Sequence, residues 1–210
     1  MTTRIDEVFG ECRIVTLLQV ESTDEAVSAA KVLVEAGLPV LEVVLRTRGA
    51  PAAIAAIARE VEGAIVGAGT ITESTQIRAS MKSGARFAVS PGLVPSLVKV
   101  SQQAGLPFLP GVMTPSEAMA ARDLGFRRVK LFPAEAAGGV ALLGALAGPL
   151  PELAFCPTGG IDETRFADYA GLPNVFAIGT SWIAPPELIA EGHWAEIVRR
   201  ASVARRAFEA

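Results

Sequence analysis

One lysine of this chain stands in surroundings that favour chemistry. The chain has four lysines, and three of them lie in amphipathic segments of helical period, where a solvated ammonium is ordinary: Lys31, Lys82 and Lys99. Lys130 lies instead in the apolar run 129–132, which is typical of a buried strand and ends at Pro133. An amine attacks a carbonyl only in its neutral form, which apolar surroundings favour. Lys130 is therefore a candidate nucleophile for Schiff-base formation, and the alternative is a strand-end lysine that reaches solvent or pairs with an acid.

Two charged residues of an earlier apolar run could act together with this lysine. In the run 39–46, the period of two of a β-strand places Glu42 and Arg46 on the same face. A carboxylate in the middle of a buried strand needs a partner, which either Arg46 or Lys130 could provide. Two readings stay open at this point. In the first, Glu42 and Arg46 form a structural ion pair. In the second, Glu42 moves protons while Arg46 binds the planar carboxylate of a ligand through two hydrogen bonds.

Glycines mark the ends of several apolar runs. Gly67 and Gly69 suggest a close approach by another group, such as a substrate. The turns 157–161 and 179–182 have free backbone N–H groups that attract anions, and the hydroxyls of Thr180 and Ser181 add donors. Such turns after the last two strands predict a phosphate site built from Gly159, Gly160, Gly179 and Ser181.

Together these groups predict a substrate with a carboxylate and a keto group at one end and a phosphate at the other. An iminium on Lys130 would withdraw electrons from the adjacent carbon–carbon bond and permit its cleavage without a metal or a cofactor. The single histidine, His193, lies in a polar turn, and the two cysteines, Cys12 and Cys156, have no metal-type spacing. We therefore expect neither a histidine-based metal site nor a Ser-His or Cys-His mechanism.

The elements that must position these groups alternate along the chain. Eight short apolar runs, each followed by an Ala-rich segment of helical period, predict strands at 14–20, 39–46, 64–69, 86–89, 107–109, 128–132, 153–155 and 175–178. Eight such units predict an α/β fold, the (β/α)8 TIM barrel, as a single compact domain over residues 1–210. An open doubly wound sheet would favour a Gly-x-Gly-x-x-Gly turn after the first run, and residues 19–21 offer none.

The composition excludes several classes of partner. With 50% hydrophobic residues and a net charge of −3, the chain has no basic stripe for nucleic acid, and its grouped arginines at 199, 200, 205 and 206 fit the polar face of a last helix, 194–208. No apolar run could span a membrane, and Met1–Gly10 lacks the apolar centre of a signal peptide. We expect a cytoplasmic protein with no nucleic-acid or membrane partner.

Seven stretches in family order, between about residues 40 and 183, resemble the 2-keto-3-deoxy-6-phosphogluconate (KDPG) aldolase and 4-hydroxy-2-oxoglutarate aldolase family of class I aldolases. They are 41–47, 65–70, 90–93, 130–135, 138–140, 155–161 and 178–182. The resemblance implies cleavage of KDPG to pyruvate and D-glyceraldehyde 3-phosphate in the Entner–Doudoroff pathway, with side activity on 4-hydroxy-2-oxoglutarate. It also implies a homotrimer.

The resemblance further implies a role for the residue at each matching position. Lys130 would form the Schiff base, and Glu42 would move protons through water. The substrate-binding residues would be Arg46, Thr70, Pro91 and Thr158. The phosphate-binding residues would be Gly159, Gly160, Gly179 and Ser181. The chain departs from the family pattern at the end of its first strand, near Gln19, and at Thr180, where a second glycine is common.

Two other functions stay open. An aldolase for the C4 epimer, 2-keto-3-deoxy-6-phosphogalactonate, would use the same chemistry, although the runs 132–139 and 156–160 look more like the KDPG branch. A non-catalytic barrel that binds a phosphorylated metabolite is the alternative from another class. Such a protein would have little reason to keep Lys130, Glu42 and Arg46 together.

Overall fold

Strands and helices alternate along the chain, as the apolar pattern predicts. The computed structural model describes residues 5–209. The strands are β1 (Ile14–Leu18), β2 (Val40–Val44), β3 (Ile65–Gly69), β4 (Ala88–Val89), β5 (Phe108–Leu109), β6 (Gly111–Val112), β7 (Arg128–Leu131), β8 (Ala154–Pro157) and β9 (Ile178–Thr180). The helices are α1 (Ile5–Phe9), α2 (Thr23–Glu35), α3 (Ala50–Glu60), α4 (Ser74–Lys82), α5 (Pro95–Ala104), α6 (Pro115–Asp123), α7 (Gly139–Ala147), α8 (Glu163–Ala170), α9 (Pro186–Ala190) and α10 (Trp194–Arg206). Residues 1–4, part of the segment expected not to be a signal peptide, lie outside the described residues.

The strands pair in parallel and follow one another around a ring. One sheet has the order β5-β4-β3-β2-β1-β9, and the other has the order β6-β7-β8. Only Pro110, which has no N–H to donate, separates β5 from β6. A bridge between Thr158 and Gly179 joins the end of β8 to β9. With β5 and β6 as halves of one strand, the ring has the eight parallel strands of a (β/α)8 barrel, and the predicted fold class is confirmed.

The strands carry one set of side chains toward the barrel interior and the other toward the helices. Val40 and Cys156 belong to the interior cluster, which also contains Phe9 of α1. The ring centroids of Phe9 and Phe87 are 5.3 Å apart. Because strand side chains alternate, Glu42 faces the interior like Val40, and Lys130 does so like its register partner Cys156. A larger cluster packs the other strand faces against the helices.

Several predicted element boundaries are wrong. The predicted fifth strand, 107–109, continues beyond Pro110 as β6, because the chain resumes its pairing with β7 there. The predicted last strand, 175–178, starts regular pairing only at Ile178, since Val175 makes a single bridge to Phe155.

The short helices α1 and α9 were not predicted. Helix α1 has one buried face, formed by Ile5, Val8 and Phe9, so contact with the barrel sustains a helix too short to be stable alone. Within residues 5–209, no helix is long and apolar enough to cross a membrane.

Candidate active site

An ion pair lies buried inside the barrel. The Nζ atom of Lys130 donates to Oε1 of Glu42 at 3.2 Å, and the two side chains are 5% and 3% exposed. Lys130 stands on β7 and Glu42 on β2, which are on opposite walls of the ring. The sequence left the partner of Glu42 open between Arg46 and Lys130, and the structure selects Lys130. Solvent screens the attraction between two charges this deep only weakly. Removal of either partner leaves an uncompensated buried charge.

Gly69 makes room for the Glu42 carboxylate. A Cβ atom at Gly69 would stand 2.1 Å from Oε1 of Glu42, far inside contact distance. The close approach that the two glycines of β3 suggested is therefore made by protein side chains, since a Cβ at Gly67 would stand 2.5 Å from the ring of Phe87. The next residue, Thr70, has a φ of 59°, which residues other than glycine rarely adopt. Backbone strain of this kind is often found at functional sites, and here it lies beside the buried carboxylate.

The groups around Lys130 are apolar or uncharged. The Phe132 ring centroid is 5.4 Å from Nζ of Lys130. Burial raises the pKa of Cys156 to about 12, against the opposing effect of the Lys130 charge, so this thiol stays protonated. The hydroxyl of Thr158 donates to the carbonyl of Cys156 at 3.2 Å. The groups in these contacts beside the Lys130–Glu42 pair are thus neutral.

A pocket of about 410 Å³ adjoins the pair at the carboxyl ends of the strands. Five of the ten predicted site residues line it: Arg46, Thr158, Gly159, Gly160 and Ser181. Lys130 and Glu42 do not line it and are buried inside the barrel, but Phe132, whose ring lies near Nζ of Lys130, is part of the pocket wall. The other three do not line it. Gly179 pairs with Thr158, and Thr70 and Pro91 follow β3 and β4, farther around the mouth.

Arg46 presents an unpaired charge to this pocket. Its side chain is exposed in the turn that follows β2, and it lines the pocket wall. Within residues 5–209, Arg46 makes no hydrogen bond or ion pair with another side chain. An unpaired guanidinium offers two parallel N–H donors, the geometry that suits a carboxylate.

Two glycines shape the turn after β8. Gly159 and Gly160 have φ angles of 103° and 81°, which lie in the left-handed region open to glycine. A Cβ atom at Gly160 would also stand 2.9 Å from Cβ of Glu135. Helix α8 begins shortly after, where Asp162 accepts the backbone N–H groups of Thr164 and Arg165. Hydrogen bonds, first that from the Thr164 side chain, hold the pKa of Asp162 below its usual range.

Thr180 does not supply the hydroxyl donor that the sequence predicted. Its Oγ1 donates to the carbonyl of Ile161 at 3.0 Å and accepts the N–H of Trp182 at 3.1 Å. The hydroxyl is therefore used to tie the turn after β8 to the loop after β9. Ser181 lies exposed at the pocket wall and is left as the predicted hydroxyl donor.

Glu135 and Tyr169 form a contact at the pocket that was not predicted from the sequence. Glu135 lines the pocket, the hydroxyl of Tyr169 donates to its Oε1, and Nε of Arg165 lies 3.6 Å from its Oε2. Burial, and then the bond to Glu135, raise the pKa of Tyr169 above its ordinary value. The one signal in the sequence is that Tyr169 is the only tyrosine of the chain. No spacing rule connects it to Glu135.

The remaining candidate groups lie away from the pocket. His193 is exposed at the start of α10, with Nδ1 3.4 Å from Glu191. The other three lysines are exposed on helices, as predicted: Lys31, Lys82 and Lys99. Across the part of the chain that the structure describes, no group of three or more His, Cys, Asp and Glu side chains could hold a metal ion.

A family model and curated relatives similar to this chain are described as aldolases. A family model described as KDPG and KHG aldolase matches residues 5–200, which include every residue of the candidate site. The 2-dehydro-3-deoxy-phosphogluconate aldolase of Pseudoalteromonas atlantica is 43% identical over 198 residues, which cover 94% of this chain and 92% of that protein. The KHG/KDPG aldolase of Escherichia coli K12 is 44% identical over 196 residues, with 93% and 91% covered.

The fold of a solved relative is also close. The KDPG aldolase of Legionella pneumophila, crystallised with pyruvate captured as a covalent carbinolamine intermediate, matches this chain with a TM-score of 0.92. The two sequences are 36% identical, and the match covers 96% of this chain and 98% of the other. The likeness therefore extends over the whole ring of strands that carries the ion pair and the pocket.

Proposed function

This chain belongs to the KDPG and KHG aldolase family, and on that basis we propose that it cleaves 2-dehydro-3-deoxy-6-phosphogluconate (KDPG) to pyruvate and D-glyceraldehyde 3-phosphate. The observation that carries the proposal is the buried Lys130–Glu42 pair, 3.2 Å apart, beside a pocket with an unpaired arginine and two glycine-rich turns. The Legionella relative, crystallised with pyruvate captured as a covalent carbinolamine intermediate, supports covalent chemistry on a keto acid.

The first half of the reaction forms the iminium on Lys130. The substrate carboxylate binds Arg46, and Glu42 takes the proton from the Lys130 ammonium, which it already contacts. The neutral amine attacks the keto carbon C2, so that a C–N bond forms and the C=O π bond breaks. A proton then passes from the nitrogen to the oxygen, which becomes a hydroxyl. Glu42, through water, returns a proton to that hydroxyl, which leaves as water and completes the iminium.

The second half breaks the carbon–carbon bond. Glu42, through water, takes the proton from the C4 hydroxyl, and the electrons of the C3–C4 bond move into the iminium. This gives an enamine and releases D-glyceraldehyde 3-phosphate. Glu42, through water, returns this proton to C3 of the enamine, and water attacks the resulting iminium to release pyruvate and regenerate the amine. The iminium itself is the electron sink, so the proposed route needs no metal and no cofactor.

The other predicted residues divide between the two ends of the substrate. Thr70, Pro91 and Thr158 are proposed to surround the pyruvyl end. The backbone N–H groups of Gly159 and Gly160 and the hydroxyl of Ser181 are proposed to bind the phosphate. Gly179 is proposed to act indirectly, because a Cβ atom there would stand 2.3 Å from Oγ1 of Thr158.

We also propose that the chain acts on 4-hydroxy-2-oxoglutarate, which has the keto-acid end but no phosphate. The name of the Escherichia coli relative, KHG/KDPG aldolase, supports this side activity. A single aldolase domain, a homotrimer and a location in the cytoplasm are further parts of the proposal. Light scattering of the purified protein tests the trimer.

Reduction with borohydride in the presence of pyruvate tests the covalent step. Mass spectrometry is expected to find the reduced pyruvate adduct on Lys130 and on none of the exposed lysines, and a sample without pyruvate is the control. An adduct on Lys31, Lys82 or Lys99, or no adduct at all, would contradict the mechanism. A non-catalytic metabolite-binding barrel would give that second result.

Steady-state rates on the two C4 epimers test the choice of substrate. The gluconate epimer is expected to have the higher kcat/KM. A higher kcat/KM for the galactonate epimer, with the Lys130 adduct still formed, would keep the mechanism and assign the other substrate.

A further inference from the structure

An arginine of the last helix holds the loop that follows β9 from outside the barrel. Nη1 of Arg200 donates to the backbone carbonyl of Trp182 at 2.7 Å, and its guanidinium carbon lies 6.0 Å from the Trp182 ring centroid. The Arg200 side chain is 22% exposed, so water competes only weakly for this bond. The sequence had placed Arg200 on the polar face of α10, with no role beyond solvation.

The same loop is held from its inner side by Thr180. The hydroxyl of Thr180 accepts the N–H of Trp182 and donates to the carbonyl of Ile161, so Trp182 is anchored through both its N–H and its carbonyl. Ser181 lies between the two anchored residues and lines the pocket. The position of the Ser181 hydroxyl therefore depends on both anchors.

The arginine is itself held in place. Nε of Arg200 donates to Oε1 of Glu196 at 2.8 Å. Glu196 also accepts two bonds from Arg199, whose guanidinium reaches both carboxylate oxygens of Glu163 at 3.1 Å, at the start of α8. Hydrogen bonds from Arg199 and then Arg200 lower the pKa of Glu196 to about 2, so it stays anionic at neutral pH. The network joins α8, α10 and the loop after β9.

We propose that Arg200 is a positioning residue for the phosphate end of the substrate, and that it acts by fixing the loop that carries Ser181. The inference rests on the proposed function, because it assumes that Ser181 binds the substrate phosphate. Arg200 does not line the pocket, and within residues 5–209 its side chain makes no hydrogen bond or ion pair with Lys130 or Glu42. Its loss is therefore expected to weaken phosphate binding and to leave the chemistry on Lys130 intact.

A comparison of Arg200→Met with Arg199→Met tests the inference. Both substitutions remove one guanidinium from the same helix and one partner of Glu196, but only Arg200 contacts the loop. Arg200→Met is expected to raise KM for KDPG about tenfold, the effect of one charge-assisted hydrogen bond, with kcat changed less than about twofold. Arg199→Met is expected to change KM less than about twofold, as is usual for an exposed ion pair.

Two reactions that do not use the phosphate separate positioning from general damage. Exchange of the pyruvate methyl protons with deuterated water, and cleavage of 4-hydroxy-2-oxoglutarate, both depend on Lys130 and Glu42. In Arg200→Met both are expected to keep the wild-type rate. Equal losses for all three substrates, or an unchanged KM for KDPG, would overturn the inference.

Arg200→Lys covers the case in which Arg200→Met does not fold. A lysine keeps the charge and one donor toward Trp182 but cannot bind Glu196 and the loop together, so the expected KM lies between those of Arg200→Met and the wild type. Where Arg200→Met does not fold, a wild-type KM for KDPG in a folded Arg200→Lys protein would refute the role. Failure of the proposed function shows differently, since the wild-type protein itself would then neither form the adduct nor cleave KDPG.

Discussion

The two ends of the proposed active site are built in opposite ways. The amine end consists of two ionised side chains on opposite strands, 5% and 3% exposed, in direct contact inside the barrel. The proposed phosphate end is a wall of turns in which Gly160 and Ser181 are exposed, and the backbone N–H groups are proposed to do most of the binding. The first end is held by the barrel itself, and the second by hydrogen bonds from Thr180 and Arg200.

This difference predicts how each end responds to change. A buried ion pair concentrates both stability and chemistry in two side chains, so loss of one partner affects both strongly. A phosphate held by several backbone N–H groups and one hydroxyl distributes its binding energy, so each loss is modest and appears in KM. Substitutions at the two ends are therefore expected to differ in size and also in the kinetic parameter that changes.

The largest effect is expected from Lys130→Met. Without the amine no iminium forms, so kcat is expected to fall by at least about 10⁴-fold. The variant also leaves Glu42 without its partner, and the free energy of unfolding is expected to fall by about 3 kcal/mol. Steady-state assays measure the first effect, and urea unfolding measures the second.

A double-mutant cycle separates the two consequences. Glu42→Gln removes the opposite charge, and in the Lys130→Met/Glu42→Gln variant no unpaired charge is buried. The loss in free energy of unfolding of the double variant is expected to be smaller than the sum of the two single losses by at least about 1 kcal/mol. Strict additivity would show that the pair is not coupled in the folded protein.

The sequence predicts the amine end better than the phosphate end, for a physical reason. An apolar run around Lys130 and a period of two at Glu42 are local patterns, and eight strand–helix units then place both inside one barrel. The Thr180 hydroxyl bonds Trp182, two positions along the chain, and Ile161, which lies in the turn after β8. Only the folded chain brings Ile161 to Thr180. The same applies to the Glu135–Tyr169 contact, which joins residues 34 positions apart. The break at Pro110 also depends on how β6 pairs with β7.

A smaller effect at the amine end is expected from Gly69→Ala. The added Cβ would lie 2.1 Å from Oε1 and 2.5 Å from Cγ of Glu42, so the carboxylate must leave the position in which it contacts Lys130. We expect kcat to fall about 10²-fold, the typical value of a positioned acid–base group, and stability to fall by about 2 kcal/mol through overpacking.

Gly144→Ala is the matched control for this substitution. Gly144 lies within α7, and a Cβ there meets nothing within 4 Å. Activity is expected to be unchanged and stability to rise by up to about 1 kcal/mol, because alanine favours the helix over glycine. Wild-type kcat in Gly69→Ala would mean that the exact position of Glu42 does not limit turnover.

The smallest effect is expected from Ser181→Ala at the phosphate end. One hydrogen bond to an ionised group is lost, so KM for KDPG is expected to rise about tenfold while kcat and pyruvate proton exchange stay unchanged. Ser202→Ala, an exposed serine on α10, is the matched control and is expected to have wild-type constants. A large fall in kcat would place Ser181 in the chemistry and remove the contrast between the two ends.

The combination of Ser181→Ala with Arg200→Met sharpens the comparison further. If Arg200 acts through the Ser181 hydroxyl, little remains for it to position once that hydroxyl is gone. The KM of the double variant is then expected to lie within about twofold of the Ser181→Ala value, well below the product of the two single effects. A multiplicative result would mean that Arg200 supports the backbone N–H groups of the loop independently of the serine, since residues that act through different contacts lose their contributions separately.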